Sequence, residues 1–186
     1  MKKNICVFGG SVSGKNIENQ KTAKIIGKII AENNFNIVFG GGENGIMGAV
    51  AQSGIENGAK TTGIIPNFLL KKDILDSAHS KIFNSKLIKT KTMHQRKKMM
   101  YDSSHGFLVL PGGIGTLDEC FEVLTWCQLN QIKNKNVGII NFKGYWDPLI
   151  NLIEHIIREE YMSPNNLNYY EEIKNINSLK IFLKNI

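Results

Sequence analysis

The sequence predicts an α/β protein with three layers, a parallel sheet carrying helices on both faces. Two observations predict it. Short apolar runs alternate with stretches of helical periodicity along the chain, and three glycine-rich segments each follow an apolar run, where strand-to-helix loops belong. The 186 residues, 42% of them apolar, suffice for one sizeable core, so a single domain over 1–186 is expected.

Residues 5–8, 37–39, 61–65, 106–110 and 137–140 are short apolar runs suited to strands buried on both faces. Helices are expected near 17–33, 45–57, 92–104, 116–131 and 146–160, with a last one over 178–185. Thr92-x-x-Gln95 and Thr116-x-x-Glu119 both have the spacing of a capping box at a helix start. Pro66 ends a strand, and Lys86-Leu87-Ile88 is a candidate for another; the rest of 66–91 reads equally as a lid or a crossover. Tyr145-Trp146-Asp147-Pro148 is a turn into a helix, with Trp146 expected to pack rather than stack on a base.

No run approaches the roughly 18 apolar residues of a membrane span, and the start Met1-Lys2-Lys3-Asn4 lacks the features of a signal peptide, so a cytoplasmic protein is expected. Cys6, Cys120 and Cys127 are odd in number and form no Cys-x-x-Cys, which argues against a disulfide framework or zinc knuckle and for plain core thiols. His79, His94, His105 and His155 show no metal-ligand spacing, so no metal and no cofactor are expected. The formal charge of +7 favours an anionic ligand. Its lysines are diffuse, without the basic clusters and interleaved aromatics of a nucleic-acid surface, so a nucleic-acid partner is not expected.

In a parallel sheet ligands bind beyond the carboxyl ends of the strands. Three loops meet that description: 9–14, 40–45 and 111–116. Pro111-Gly112-Gly113-Ile114-Gly115-Thr116 opens onto a helix, where free N–H groups and the helix dipole favour a phosphate. One glycine would serve a tight turn; three and a threonine exceed that need. The loop lacks the Lys of a Walker-type loop, and only 40–45 satisfies G-x-G-x-x-G, weakly, by letting x be glycine. Glu119 suits either helix capping or a sugar-facing catalytic role. Arg96 is one of only two arginines, beside Arg158, in a lysine-rich chain. Met93, Arg96, Lys97 and Met100 share a helical face, which is either a solvated basic face or a pocket wall presenting a cationic fork to an anion.

Together these segments resemble the LONELY GUY family of cytokinin riboside 5′-monophosphate phosphoribohydrolases, often labelled lysine decarboxylases. The likeness is carried by Gly10-Ser11 with Gly14, by Gly40-Gly41-Gly42-Glu43-Asn44-Gly45-Ile46-Met47-Gly48 and by Met93-His94-Gln95-Arg96-Lys97. Pro111 to Glu119 and Thr125-Trp126-Cys127-Gln128-Leu129 complete it, so that it spans about 5–162. The resemblance implies a Rossmann-like fold, a homodimer, and hydrolysis of the bond between an adenine-type base and ribose 5′-phosphate. It maps Arg96 and Glu119 to catalysis. It maps Lys97, Gly112, Gly113, Gly115, Thr116 and Thr125 to substrate binding, with Gly10, Ser11, Gly42 and Met93 as further binding candidates from the matched motifs. Val12, Ile114 and Asp118 depart from the family pattern, and adenine and prenylated adenine both stay open as the base. A non-catalytic nucleotide or cofactor carrier of the same fold is the alternative.

Overall fold

Parallel strands β1 (Lys3–Phe8), β2 (Phe35–Phe39), β3 (Thr61–Pro66), β4 (Lys86–Thr90), β5 (Gly106–Val109), β6 (Asn136–Ile140) and β7 (Glu171–Ile173) form one sheet in the order β4-β3-β2-β1-β5-β6-β7. The helices are α1 (Ile17–Glu32), α2 (Gly45–Glu56), α3 (Asn67–Asp73), α4 (Met93–Asp102), α5 (Ile114–Gln128), α6 (Asp147–Arg158) and α7 (Ile176–Lys184). This computed structural model describes residues 2–73, 86–132 and 136–186. The middle of the 66–91 segment, with His79, lies outside the described residues.

Strand alternation builds two cores. Ile5 and Val7 of β1, Ile37 and Phe39 of β2, and Leu108 of β5 pack beneath α1, α2 and α7. Cys6, Phe8, Val38, Phe107 and Val109 point the other way, beneath α4, α5 and α6. All are at most 2% exposed, which is why these runs are apolar throughout instead of alternating with polar residues. Cys6, Cys120 and Cys127 are buried in the second core, and burial pushes the Cys120 thiol up to about 12. Trp146 is buried there too, at 5% exposure.

Every expected strand and helix forms, with ends shifted by a few residues. Two of these strands and α-helices were not anticipated. β7 is three residues long, Glu-Glu-Ile, and buries fully only Ile173, so it has almost no apolar signature. α3 is a seven-residue helix directly after Pro66.

One expected start moves. α5 begins at Ile114, with Gly113 as its N-cap, so Thr116 lies inside the first turn and does not cap the helix. The capping account of Glu119 is therefore excluded. At α4 the expectation holds: Thr92 is the N-cap, and its hydroxyl accepts from the Gln95 N–H at 3.2 Å. The returning Gln95 side chain accepts from the Lys91 N–H at 3.0 Å, one residue short of a full capping box.

The strand order reverses between β1 and β5. Chains leaving these neighbours run to opposite sides, and a crevice opens between their following loops. The two glycine loops after β1 and β5 flank that crevice.

Candidate active site

The loops after β1, β2 and β5 line one cavity of about 1000 Å³. They are joined by backbone bonds. The Gly10 N–H donates to the Pro111 carbonyl at 3.0 Å, and the Gly10 carbonyl accepts from the N–H groups of Ile46 and Met47 at 2.9 and 3.3 Å. Those last two bonds decide between the candidate anion sites, because they consume donors of the α2 first turn. At α5 the first helical bond runs from Leu117 N–H to the Gly113 carbonyl at 3.1 Å. The N–H groups of 114–116 precede it, and these residues line the cavity. The open helix end is therefore that of α5.

The glycines of this loop serve different ends. A Cβ on Gly112 would overlap Thr116 Oγ1 and sit 2.8 Å from the Gly10 N–H, so Gly112 lets the two loops close together. A Cβ on Gly113 or Gly115 would meet no atom within 4 Å, and neither has positive φ. The fold itself asks for glycine at neither place. What bare backbone permits there is close approach of a ligand to the N–H groups. Gly42 resembles them, with only an ordinary 3.6 Å contact to Met47. Tyr145, from the turn after β6, donates its hydroxyl to the Gly112 carbonyl at 2.7 Å and braces the loop from behind.

Arg96 and Glu119 face the same cavity from α4 and α5. Arg96 is 8% exposed, Glu119 5%, and Arg96 Nη2 lies 3.4 Å from Glu119 Oε1. Arg96 is held on all sides. Its Nε donates to the Ile64 carbonyl at 3.1 Å, its Nη2 to the Gly40 carbonyl at 3.4 Å, and its Nη1 to Met93 Sδ at 3.8 Å. Gly40 must be glycine, since a Cβ there would overlap the guanidinium. Burial pushes the Glu119 carboxyl up to about 7; Arg96 and Lys97 oppose the rise, while Asp118 and Glu122 add to it. A carboxyl in that state can hold or release a proton near neutrality.

Of the other predicted site residues, Gly10, Ser11, Gly42, Gly113, Gly115 and Thr116 line the cavity. Gly112 lies just behind it, under Thr116. Met93 supports Arg96 without lining the cavity. Lys97 is turned away from it and paired to Asp118 and Glu122 at 3.0 and 2.8 Å, so Arg96 and Lys97 do not form one cationic wall. Thr125 is exposed on α5, two turns past Glu119 and outside the cavity lining. Gln20, Lys24, Gln52 and Leu69 line the cavity and carried no motif that could have marked them. Tyr145 was equally hidden, because a turn tyrosine does not announce its partner. Among the described residues no group of three or more His, Cys, Asp or Glu is placed to hold a metal ion, and no helix is long and apolar enough to cross a membrane.

Fold and cavity define a Rossmann-like α/β protein with an open helix end at the switch point of its sheet and a buried Arg–Glu pair beside it. Comparison with known proteins narrows the class. The family model described as "Possible lysine decarboxylase" matches residues 47–180. The chain is 37% identical over 162 residues to the cytokinin riboside 5′-monophosphate phosphoribohydrolase LOG1 of Arabidopsis thaliana, covering 87% of this chain and 73% of that one. It is 39% identical over 163 residues to the probable enzyme of that name, LOGL6, of Oryza sativa subsp. japonica, covering 88% of this chain and 63% of the rice protein. The chain belongs to this family, the LONELY GUY phosphoribohydrolases. Among solved structures, the molybdenum cofactor binding protein of Rippkaea orientalis superimposes with a TM-score of 0.70 at 21% identity, over 99% of this chain and 96% of that one. The molybdenum cofactor carrier protein of Chlamydomonas reinhardtii gives 0.70 at 18%, over 99% and 97%. At such identities these two share the fold alone.

Proposed function

We propose that this protein is a nucleoside 5′-monophosphate phosphoribohydrolase that cleaves AMP or a cytokinin riboside 5′-monophosphate into the free base and ribose 5-phosphate. The chain spans about two thirds of the length of its curated relatives, 63% of one and 73% of another. The observation that carries the proposal is the buried Arg96–Glu119 pair, at 3.4 Å, facing the same cavity as the open α5 N-terminus. An anion cradle alone would suit a carrier as well. A buried carboxylate beside it suits cleavage of a sugar–base bond.

The phosphate seats on the N–H groups of 113–116, which sets the sugar in register with the pair. The C1′–N bond breaks with positive charge building on the ribose, and the ionised Glu119 stabilises that charge and orients a water. The water oxygen bonds to C1′ and gives up one proton, the electron pair of the broken bond stays on the base nitrogen, and the base takes up one proton, so that water is divided between sugar and base. Arg96 holds Glu119 in place and offers its remaining donor edge to an oxygen of the substrate. Gly10, Ser11, Gly42 and Thr116 complete the near wall. Lys97, Met93 and Gly112 act from behind it, as supports. Thr125 is reserved for a second copy of the chain, in keeping with a homodimer. The whole chain acts as one catalytic domain in the cytoplasm.

The test is product analysis by chromatography on a panel of nucleoside monophosphates. Glu119→Gln is expected to lower base release on the order of 1000-fold while AMP still binds. Equal wild-type rates on the monophosphate and on the riboside lacking phosphate would refute the cradle. AMP binding without any release of adenine would leave a carrier.

A further inference from the structure

Beside the Arg96–Glu119 pair runs a second line of polar contacts that the reaction does not use. Lys97 Nζ lies 3.0 Å from Asp118 Oδ2 and 2.8 Å from Glu122 Oε2. Tyr101 donates its hydroxyl to the same Glu122 oxygen at 2.7 Å. Residues 96, 97 and 101 of α4 thus meet residues 119, 118 and 122 of α5 in one row. The inner members are sheltered: Lys97 is 8% exposed and Tyr101 1%, and the Glu122 side chain is 24% exposed. The Asp118 side chain is 52% exposed, so its contact with Lys97 is screened by water and counts for less. None of Lys97, Tyr101, Asp118 and Glu122 lines the cavity.

Ion pairs taken out of water gain little stability over apolar neighbours of the same shape, and what they can add is a unique alignment. Here alignment has a consequence. Arg96 and Glu119 belong to different helices, so their 3.4 Å separation depends on how α4 sits against α5. Glu122 accepts from both Lys97 and Tyr101 through the same oxygen. Without it, the Lys97 ammonium would keep only the exposed Asp118.

We propose that Glu122 is a positioning residue: with Tyr101 it holds Lys97 out of the substrate cavity and fixes the alignment of α4 and α5 in which Arg96 meets Glu119. The activity readouts rest on the hydrolase reading above; the titration readout does not. The charged groups acting on Glu119 are Arg96 and Lys97 from α4 and Asp118 and Glu122 from α5. Removing the Glu122 charge takes away a neighbour that disfavours ionised Glu119. It also frees Lys97, which favours it. Both changes lower the Glu119 midpoint if Arg96 stays in place, whereas loss of the Arg96 contact, the largest of the charge effects on Glu119, raises it.

Glu122→Gln keeps the length of the side chain and an acceptor for Tyr101 while losing the charge. The titration midpoint of Glu119 is read from its carboxyl carbon signal by NMR, assigned as the resonance missing in Glu119→Gln. In Glu122→Gln the lost Arg96 contact is expected to raise it by about half a pH unit or more, with kcat for AMP down about tenfold and KM within about twofold. Tyr101→Phe, which deletes one hydroxyl, is expected to lower kcat about threefold and decides the matter should Glu122→Gln fail to fold. The proposal is overturned by an unchanged kcat, by a midpoint that is unmoved or that falls, as deletion of the charge with the helices still aligned requires, or by a change in KM alone. A wild-type protein that releases no base would sink the hydrolase reading, while the Glu119 midpoint still tests the alignment.

Discussion

Arg96 shows how much a single side chain can be asked to do. Its guanidinium meets two backbone carbonyls, a thioether and a carboxylate, and the partners come from β3, the β2 loop, α4 and α5. Only a planar fork with donors on several edges satisfies them together. A lysine carries one ammonium on a flexible stem and would leave at least one of these buried acceptors bare. Arg96→Lys is therefore expected to keep the fold, by circular dichroism, and to lower kcat on the order of 100-fold. A full rate in steady-state assays would refute the fork. The scarcity of arginine in the chain marked this residue before any geometry was known. Nothing in the spacing could place its neighbour Lys97: adjacent helix positions diverge by about 100°, and that rotation sends Lys97 to Asp118 and Glu122 while Arg96 enters the cavity.

At the scale of elements, the decisive feature is which helix end stays open. All three glycine loops were visible in the sequence, and composition could not rank them. The bonds from Ile46 and Met47 to the Gly10 carbonyl close the end of α2, so α5 is left to meet an anion. The turn after β6 stabilises that end. Asn141 donates to Asp147 and Glu172, both at 2.7 Å, and accepts from the Trp146 N–H at 2.7 Å, which fixes Tyr145 where its hydroxyl reaches Gly112. Tyr145→Phe keeps the edge-on ring contact with Trp146, at 4.8 Å, and deletes that one bond. A net loss of about 1 kcal/mol is expected, seen as a KM for the monophosphate raised about fivefold. The rate on a substrate without phosphate should not move. Parallel losses on both substrates would show that the tyrosine supports the fold generally and not the cradle.

For the whole molecule, the cavity exists because the sheet reverses its order between β1 and β5 and because α1 and α2 pack closely above it. Gly27 of α1 lies where the two helices approach closely. A Cβ there would overlap the Val50 carbonyl oxygen and lie 3.0 Å from the Gly54 nitrogen. Backbone cannot swing aside as a side chain can, so Gly27→Ala must part the helices. About 2 kcal/mol of destabilisation is expected, a fall in Tm of roughly 4–8 °C for a chain of this size. An unchanged melting curve would show that the helix pair has slack.

The sequence by itself determined the layer order and most of the elements, because strands buried on both faces must be apolar throughout and helices between them must repeat every three to four residues. It also determined the motifs that give the family, since loops that approach a ligand need particular residues in particular places. It could not reveal β7, which is too short and charged to leave a pattern. Nor could it reveal that Glu119 is free of capping duty, that the α2 helix end is already occupied, or that Tyr145 and Glu122 brace the site. Apart from the start of α5, those are contacts between residues 21 to 37 positions apart along the chain. Local propensity acts over a few residues, whereas such contacts depend on how finished elements pack. Only the tertiary structure could decide them.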